Sequence, residues 1–246
     1  MRSSKWAVES GPRALGGVDV EPGDKYITDR SVIYYDTLMP VEVTEPRWRR
    51  LPEERPQQIL RAALEVFGEH GLGGARLEDI AKQAGVSKGT IYLYFPNKEA
   101  LFREMVRSTI VEAIVAGEGI SNVGSAREQL LAFMAHYWDF VRTPAFSVIY
   151  RVVVSELHHF PDLVEFYSAE VIVRSQRLIS GIISRGISTG EFRSVDPTVA
   201  GRMLISLFST SAMWCCKRKF FPHLRDRTDE QIYAEIVDFY LSALRA

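Results

Sequence analysis

From residue 54 onward, apolar side chains recur at helical spacing. Ile59, Ala63, Val66 and Phe67 share one face of a first segment that ends at Gly71. A second stripe, Leu77, Ile80, Ala81 and Ala84, is closed by Gly85, and a short third segment over residues 87–94 stops against Pro96. Asn97 then stands where an N-cap belongs, before a stripe of Leu101, Phe102, Met105, Val106, Ile110 and Ile114. After a Gly/Ser break at 117–125, the pattern predicts longer helices over 126–142, 144–158, 161–188, 197–219 and 229–245. Pro144, Pro161, Pro197 and Pro222 punctuate them at helix starts or just past an end. Thr228 and Gln231 have capping-box spacing, ahead of an apolar face of Ile232, Ile236, Phe239, Tyr240 and Leu244. The uncharged run 203–216 reads as a buried core helix, and the body as all-α.

Residues 1–53 read differently. They hold five of the 11 prolines and no long amphipathic pattern, and residues 1–46 carry 5 basic against 8 acidic groups. This predicts a mostly irregular, flexible extension with no core of its own. Within it Val32, Ile33, Tyr34, Tyr35, Val41 and Val43 are β-prone enough to dock on something as an extended segment.

Composition narrows the function classes. Apolar residues are 46% and charged residues 25%, which excludes wholesale disorder. No apolar run reaches the ~20 residues a membrane span needs. Arg2 and Lys5 are not followed by an apolar block, so no secretory signal is expected. The two cysteines are adjacent, Cys215 and Cys216, and form no disulfide framework, so a reducing cytoplasm is the expected compartment. With a net charge of −1, any affinity for nucleic acid has to come from a local patch.

Residues 77–101, LEDIAKQAGVSKGTIYLYFPNKEAL, are the most informative stretch. Ala81 is small where two helices must cross closely, Gly85 ends the first of them without a Cβ penalty, and Ser87 caps the second. Val86 and Ile91 tuck the second helix onto the first. That is the build of a helix-turn-helix, whose second helix enters a major groove about 12 Å wide. Its exposed side presents Ser87, Lys88, Gly89, Thr90, Tyr92 and Tyr94, short or phenolic donors with one cation. Donors of this kind mostly fix register on phosphates. Lys98 adds a cation at the next helix start, itself favourable for phosphate.

Residues 54–102 thereby resemble the DNA-binding domain of the TetR (tetracycline-repressor) family of bacterial regulators. The likeness is carried by ILRAALEVFGEHG at 59–71, Ile80-Ala81, Ala84-Gly85-Val86-Ser87, Gly89-Thr90-Ile91-Tyr92, Tyr94-Phe95 and Asn97-Lys98-Glu99, in that order and spacing. The resemblance implies three helices for DNA, at 54–102, and a helical effector-binding and dimerisation domain at 103–246. It also places Lys88, Thr90, Tyr92, Tyr94 and Lys98 at operator-facing positions or just behind them. Two departures stand out. Ala75-Arg76 replaces the usual Thr or Ser before the second helix, so a cap is missing and Arg76 becomes a phosphate candidate; Leu93 replaces His or Tyr between the aromatics. Arg47, Trp48, Arg49 and Arg50 precede the first helix. They form either a minor-groove arm, with Arg49 and Arg50 as contacts, or a solvated linker.

The remaining chain is less specific. Gly190-Glu191-Phe192-Arg193 and Asp196-Pro197 resemble a turn of the same family's effector domains. Phe133, Tyr137, Phe146, Tyr150, Tyr167, Phe208, Met213 and Trp214 are the pocket candidates, and they favour an apolar or aromatic effector. Glu156, His159 and Glu170 are candidate polar anchors. By resemblance the last two long helices dimerise as a four-helix bundle, with Leu204, Phe208, Ile236, Phe239 and Tyr240 as interface candidates. Two-fold symmetry then implies a palindromic double-stranded operator.

Rival readings find less support. Glu156 and His159 have the i, i+3 spacing of a di-iron helix, but the chain has no second Glu-x-x-His. There is no P-loop, dinucleotide fingerprint or Gly-x-Ser-x-Gly elbow, so neither catalysis nor a cofactor or metal is expected. Cys215 and Cys216 are either inert buried thiols or, with Lys217, Arg218 and Lys219 following, an oxidant-sensing pair. A helical interaction module without DNA activity is the other alternative. The expected function is a homodimeric, ligand-responsive transcriptional regulator, most simply a repressor.

Overall fold

A computed structural model describes the backbone of residues 26–28 and 31–33, and residues 54–120 and 124–246. In the amino-terminal segment, β1 (Tyr26–Thr28) and β2 (Ser31–Ile33) pair antiparallel, with Tyr26 opposite Ile33. The β-prone Val32 and Ile33 fall in β2. The predicted flexibility of the rest of residues 1–53, and the arm at residues 47–50, lie outside the described residues.

The described residues from 54 onward are mainly helical. Pro56 opens α1 (Arg55–Gly74), which bends where Gly71 takes φ 69°. The short α2 (Leu77–Gln83), α3 (Lys88–Tyr94) and α4 (Lys98–Val106) follow. Ser87 and Asn97 cap α3 and α4 through their side chains, while Arg76 precedes α2 without a side-chain cap. Ile59, Phe67, Ile80, Ile91, Leu101 and Phe102 are fully buried between these four helices. The Phe67 and Phe102 rings meet edge to face at 6.1 Å.

After α4 the chain runs through a π-helical turn, Arg107–Val111, into α5 (Glu112–Ile120). Then come α6 (Ala126–Val141) and α7 (Pro144–Ser155). The predicted helix 161–188 is two helices, α8 (Pro161–Tyr167) and α9 (Val173–Ser188), joined by a second π turn, Ser168–Ile172. The chain closes with α10 (Pro197–Cys215), the single-turn α11 (Pro222–Arg225) and α12 (Asp229–Leu244). The capping box at Thr228 and Gln231 is present, and Ser125 with Glu128 forms another that sequence reading passed over. Glu191, from the turn before α10, also accepts from the free Ala126 and Arg127 N–H groups at 3.2 and 3.0 Å. Helix-start donors lack intrahelical partners, which is why three acceptors gather there.

The core around the first four helices does not stop at residue 102. Ile149 and Val152 of α7, Leu163, Phe166 and Tyr167 of α8, and Val171 pack with α1 and α4. A second core, around Leu130, Met134, Trp138, Ile183, Leu204 and Phe208, joins α6, α9, α10 and α12.

Candidate functional site

The α2–α3 turn hinges on Gly85, whose φ of 63° an L side chain rarely adopts. Ser87 Oγ accepts from Thr90 N–H at 3.1 Å and lies 2.8 Å from Thr90 Oγ1, so both hydroxyls are oriented by the cap. Ser87, Lys88, Gly89, Tyr92 and Tyr94 are exposed on α3, and Leu93 is 85% exposed. Arg76 is exposed at the start of α2. One helix face thus carries the short and phenolic donors named from sequence.

The cation of this face, Lys88, and the one at the start of α4, Lys98, are both engaged within the chain. Lys88 Nζ lies 2.7 Å from Glu78 Oε1, and Tyr92 donates to the same oxygen at 3.4 Å. The Lys88 hydrogen bond holds the Glu78 carboxyl below its ordinary range, and the carboxylate raises the lysine in return. A lowered carboxylate loses its contribution as pH falls through that lowered value, and a raised ammonium as pH rises through its own. The pair is therefore intact across neutral pH. Lys98 donates to the carbonyls of Gly73 and Ala75 at 2.8 and 3.3 Å, closing the end of α1.

The same end of α1 is held from the other side by α7. Arg151 donates to the Gly68 carbonyl, and Glu156 accepts from Gly73 N–H at 2.7 Å. Gly71 makes room for this, since a Cβ there would run into the Glu156 carboxylate. Arg103 of α4 donates to the Asp162 carbonyl at 2.8 Å, and it and Arg107 lie over the Phe166 ring at 4.9 and 5.0 Å. Sequence reading missed Arg151, because an arginine on an amphipathic helix carries no signal of a carbonyl 83 residues away.

Beyond this junction lies a cavity of about 140 Å³. Five of the predicted pocket residues line it: Phe133, Tyr137, Phe146, Tyr150 and Tyr167. Ile110 from the first π turn and Val171 and Ile172 from the second complete it on one side. Tyr150 and Val153 face it from α7, next to Arg151. Among its polar groups, Tyr137 Oη is 2.7 Å from Ser209 Oγ, and His136 Nε2 is 3.0 Å from the Ala113 carbonyl.

Other expectations for the pocket are corrected. Phe208 is fully buried in the second core, against Tyr137, Trp138 and Tyr233. Met213 is not part of the lining, and its sulfur meets Ser147 Oγ at 3.9 Å. Trp214 is half-exposed on the opposite side of α10, edge-on to Phe221 at 4.5 Å. Helical rotation separates them: residues 208, 213 and 214 lie on different faces, which a list of aromatic residues does not resolve. Nor do Glu156, His159 and Glu170 line the cavity; Glu156 holds α1 instead.

Residues 59–105 match the family described as "Bacterial regulatory proteins, tetR family". Residues 128–246 match "AefR-like transcriptional repressor, C-terminal domain". The "Fatty acid metabolism regulator protein" of Bacillus subtilis is 30% identical over 172 residues, covering 67% of this chain and 86% of that protein. The chain belongs to the tetR family of bacterial regulatory proteins. "HTH-type transcriptional repressor KstR2" of Mycolicibacterium smegmatis is 26% identical over 167 residues, covering 66% and 80% of the two chains. The fold is shared with the crystal structure of the transcriptional regulator FadR from Bacillus subtilis in complex with stearoyl-CoA. That likeness has a TM-score of 0.62 at 23% identity, over 77% of this chain and 99% of that one. The chain is thus a transcriptional regulator with a helix-turn-helix head, and its named relatives are regulators rather than enzymes.

The predicted interface of this tetR-family chain needs revision. Leu204 and Phe208 are fully buried, and Tyr240 is buried with its hydroxyl donating to the Ala200 carbonyl at 2.7 Å. All three face the subunit's own core. Ile236 is half-buried, while Phe239 is 66% and Met203 55% exposed. The run 203–216 is therefore not wholly buried: Met203, Thr210 and Trp214 form an outward stripe beside the inward one of Leu204, Phe208 and Ala212. An uncharged helix with apolar residues on both sides leaves its rotation unreadable.

Cys215 is buried, which pushes its thiol up, and Cys216 is exposed. Among the described residues no cluster of three or more His, Cys, Asp or Glu is placed to hold a metal ion. No described helix is long and apolar enough to cross a membrane.

Proposed function

We propose that this tetR-family regulator is a homodimeric repressor that leaves a palindromic operator when an apolar or aromatic effector enters the cavity. One observation carries the reading: α7 faces the cavity with Tyr150 and Val153 and holds the end of α1 with Arg151 and Glu156. An occupant that moves α7 moves the head with it. Two heads reading half-sites one turn apart, ~34 Å, lose register when their separation changes. The effector must then prefer the released state, by about 1–3 kcal/mol for ordinary coupling.

The relatives support this. A Bacillus FadR binds stearoyl-CoA in its crystal, and KstR2 is named a repressor. On α3, Ser87, Lys88, Gly89, Thr90, Tyr92 and Tyr94 are assigned to the groove, with Arg76 at the start of α2; Arg49 and Arg50 stay candidates on the sequence alone. Lys98 stands behind them, ordering the end of α1. The interface is assigned to the exposed apolar faces of α10 and α12, with Phe239 and Ile236 retained from the sequence reading and Met203 added. In this reading the protein works in the cytoplasm, where Cys215 and Cys216 stay free thiols.

Selection of genomic DNA fragments by the purified protein, with a salt titration on the enriched ones, tests the reading. A palindrome whose affinity falls steeply with salt is expected, because each phosphate contact releases counterions. No enrichment, from protein refolded free of any bound effector, contradicts it and favours a protein-interaction module.

A further inference from the structure

The polar groups of the cavity are not equally committed. Tyr137 is paired with Ser209, His136 with the Ala113 carbonyl, and the Ser175 hydroxyl donates to its own helix at Val171 O, 2.8 Å away. Tyr150 and Tyr167 differ. Tyr167 is only 8% exposed, yet among the described residues neither phenol hydroxyl has a hydrogen-bond partner. Among the described residues no buried side-chain oxygen or nitrogen sealed from solvent is left unpaired, so the Tyr167 hydroxyl borders open space, and that space is the cavity. The two rings lie near enough that a charge on Tyr150 would oppose one on Tyr167, and burial keeps the Tyr167 phenol protonated well above neutral pH.

Buried hydroxyls normally find a partner. These two cannot satisfy each other fully, because when one donates to the other a proton is left over. One oxygen with two lone pairs, such as a carbonyl, accepts both. The lining contains no Lys, Arg, Asp or Glu among the described residues, and its histidine, His136, is already bonded to the Ala113 carbonyl, so no permanent charge there offsets a carboxylate or an ammonium. Size sets the third constraint. A volume of about 140 Å³ is close to that of an engineered apolar cavity of ~150 Å³ that holds benzene.

We infer that the cavity takes an uncharged ligand with a compact apolar body and one carbonyl oxygen, a ketone, ester or lactone, and that Tyr150 and Tyr167 donate to that oxygen. This rests on the cavity being the effector site. It narrows the effector from apolar or aromatic to neutral and carbonyl-bearing, and it makes Tyr167 the specificity-determining residue, at the end of α8 where the second π turn begins.

The test is titration of the full-length protein with three probes of similar size: ethylbenzene, acetophenone and benzoate, at neutral pH. Acetophenone is expected to bind at least tenfold tighter than ethylbenzene, and benzoate not measurably. Tyr167→Phe keeps the ring and removes the donor. It should abolish most of the acetophenone preference while leaving ethylbenzene affinity unchanged, which also shows that the variant is folded. Equal binding of ethylbenzene and acetophenone to the unaltered protein overturns this inference and leaves the cavity reading standing. So does benzoate binding tightest, or a preference that survives in both Tyr150→Phe and Tyr167→Phe. Failure of all three probes to bind overturns the inference and the cavity reading together.

Discussion

The head and the helical body solve opposite problems with the same secondary structure. In the head, four helices close on a core in which Ile59, Phe67, Ile80, Ile91, Leu101 and Phe102 have no exposed surface. In the body, the helices surround an open volume of about 140 Å³, and the two segments beside it, Arg107–Val111 and Ser168–Ile172, are π-helical. Extra residues of this kind interrupt the regular hydrogen-bond ladder and recur at functional sites. A reader of DNA needs a fixed surface, because base and phosphate contacts are lost with small displacements. A sensor needs packing that something else can complete. The difference assigns rigidity to one region and adjustability to the other, with α7 and α4 as the shared parts.

The sharpest way to break this comparison is to truncate one ring in each region. Phe102→Ala should cost about 3–5 kcal/mol in urea denaturation. Phe146→Ala, whose ring stacks on Tyr150 at 5.3 Å but borders the cavity, should cost about 2 kcal/mol. Equal losses would show that the cavity wall is packed as tightly as the head. Next in size is the junction. Glu156→Ala removes the carboxylate from Gly73 N–H, and an occupant of the cavity that weakens operator binding roughly 5- to 150-fold should then weaken it only slightly. Operator titrations with and without that occupant measure the change.

Smaller effects separate the contacts within the head. Lys88→Ala and Tyr92→Ala should each weaken all DNA sequences alike, and Lys88→Ala should lower the salt slope by about one. Glu78→Gln should act in the opposite direction. With its partner's charge removed, Lys88 is free for phosphate, and operator affinity should rise roughly two- to fivefold at low salt. A fall in affinity would place Glu78 among the groups that orient the helix for DNA.

The head was legible because its signals are local. Gly85, Ser87 and Asn97 each act within four residues, and the turn, the cap and the helix start all formed where the spacing put them. Helix ends in the body were legible for the same reason at Pro144, Pro161, Pro197 and Thr228. The π turns were not, since an extra residue per turn leaves the apolar stripe nearly in place: Ile110 and Val171 still face inward. The pocket was legible in part. Five aromatic candidates converge on it, but Phe208, Met213 and Trp214 required the rotation of α10, which an uncharged helix conceals. The same ambiguity put Leu204 and Phe208 on an interface when they belong to the subunit's own core, and Tyr240 of α12 joins them there. Contacts across long separations, Arg151 and Glu156 on α1, leave no trace in spacing at all.

In the proposed function, filling the cavity is what detaches the head from DNA. Ser175 lines the cavity and its hydroxyl bonds only its own helix, at Val171 O and Ile172 O, so Ser175→Phe can fill the space without stripping a partner from another element. Affinity for the selected operator should be measured for this variant and the unaltered protein at the same salt. The account predicts at least a fivefold loss in a variant that melts no earlier than the parent. Unchanged operator affinity in that folded, cavity-filled variant would contradict it.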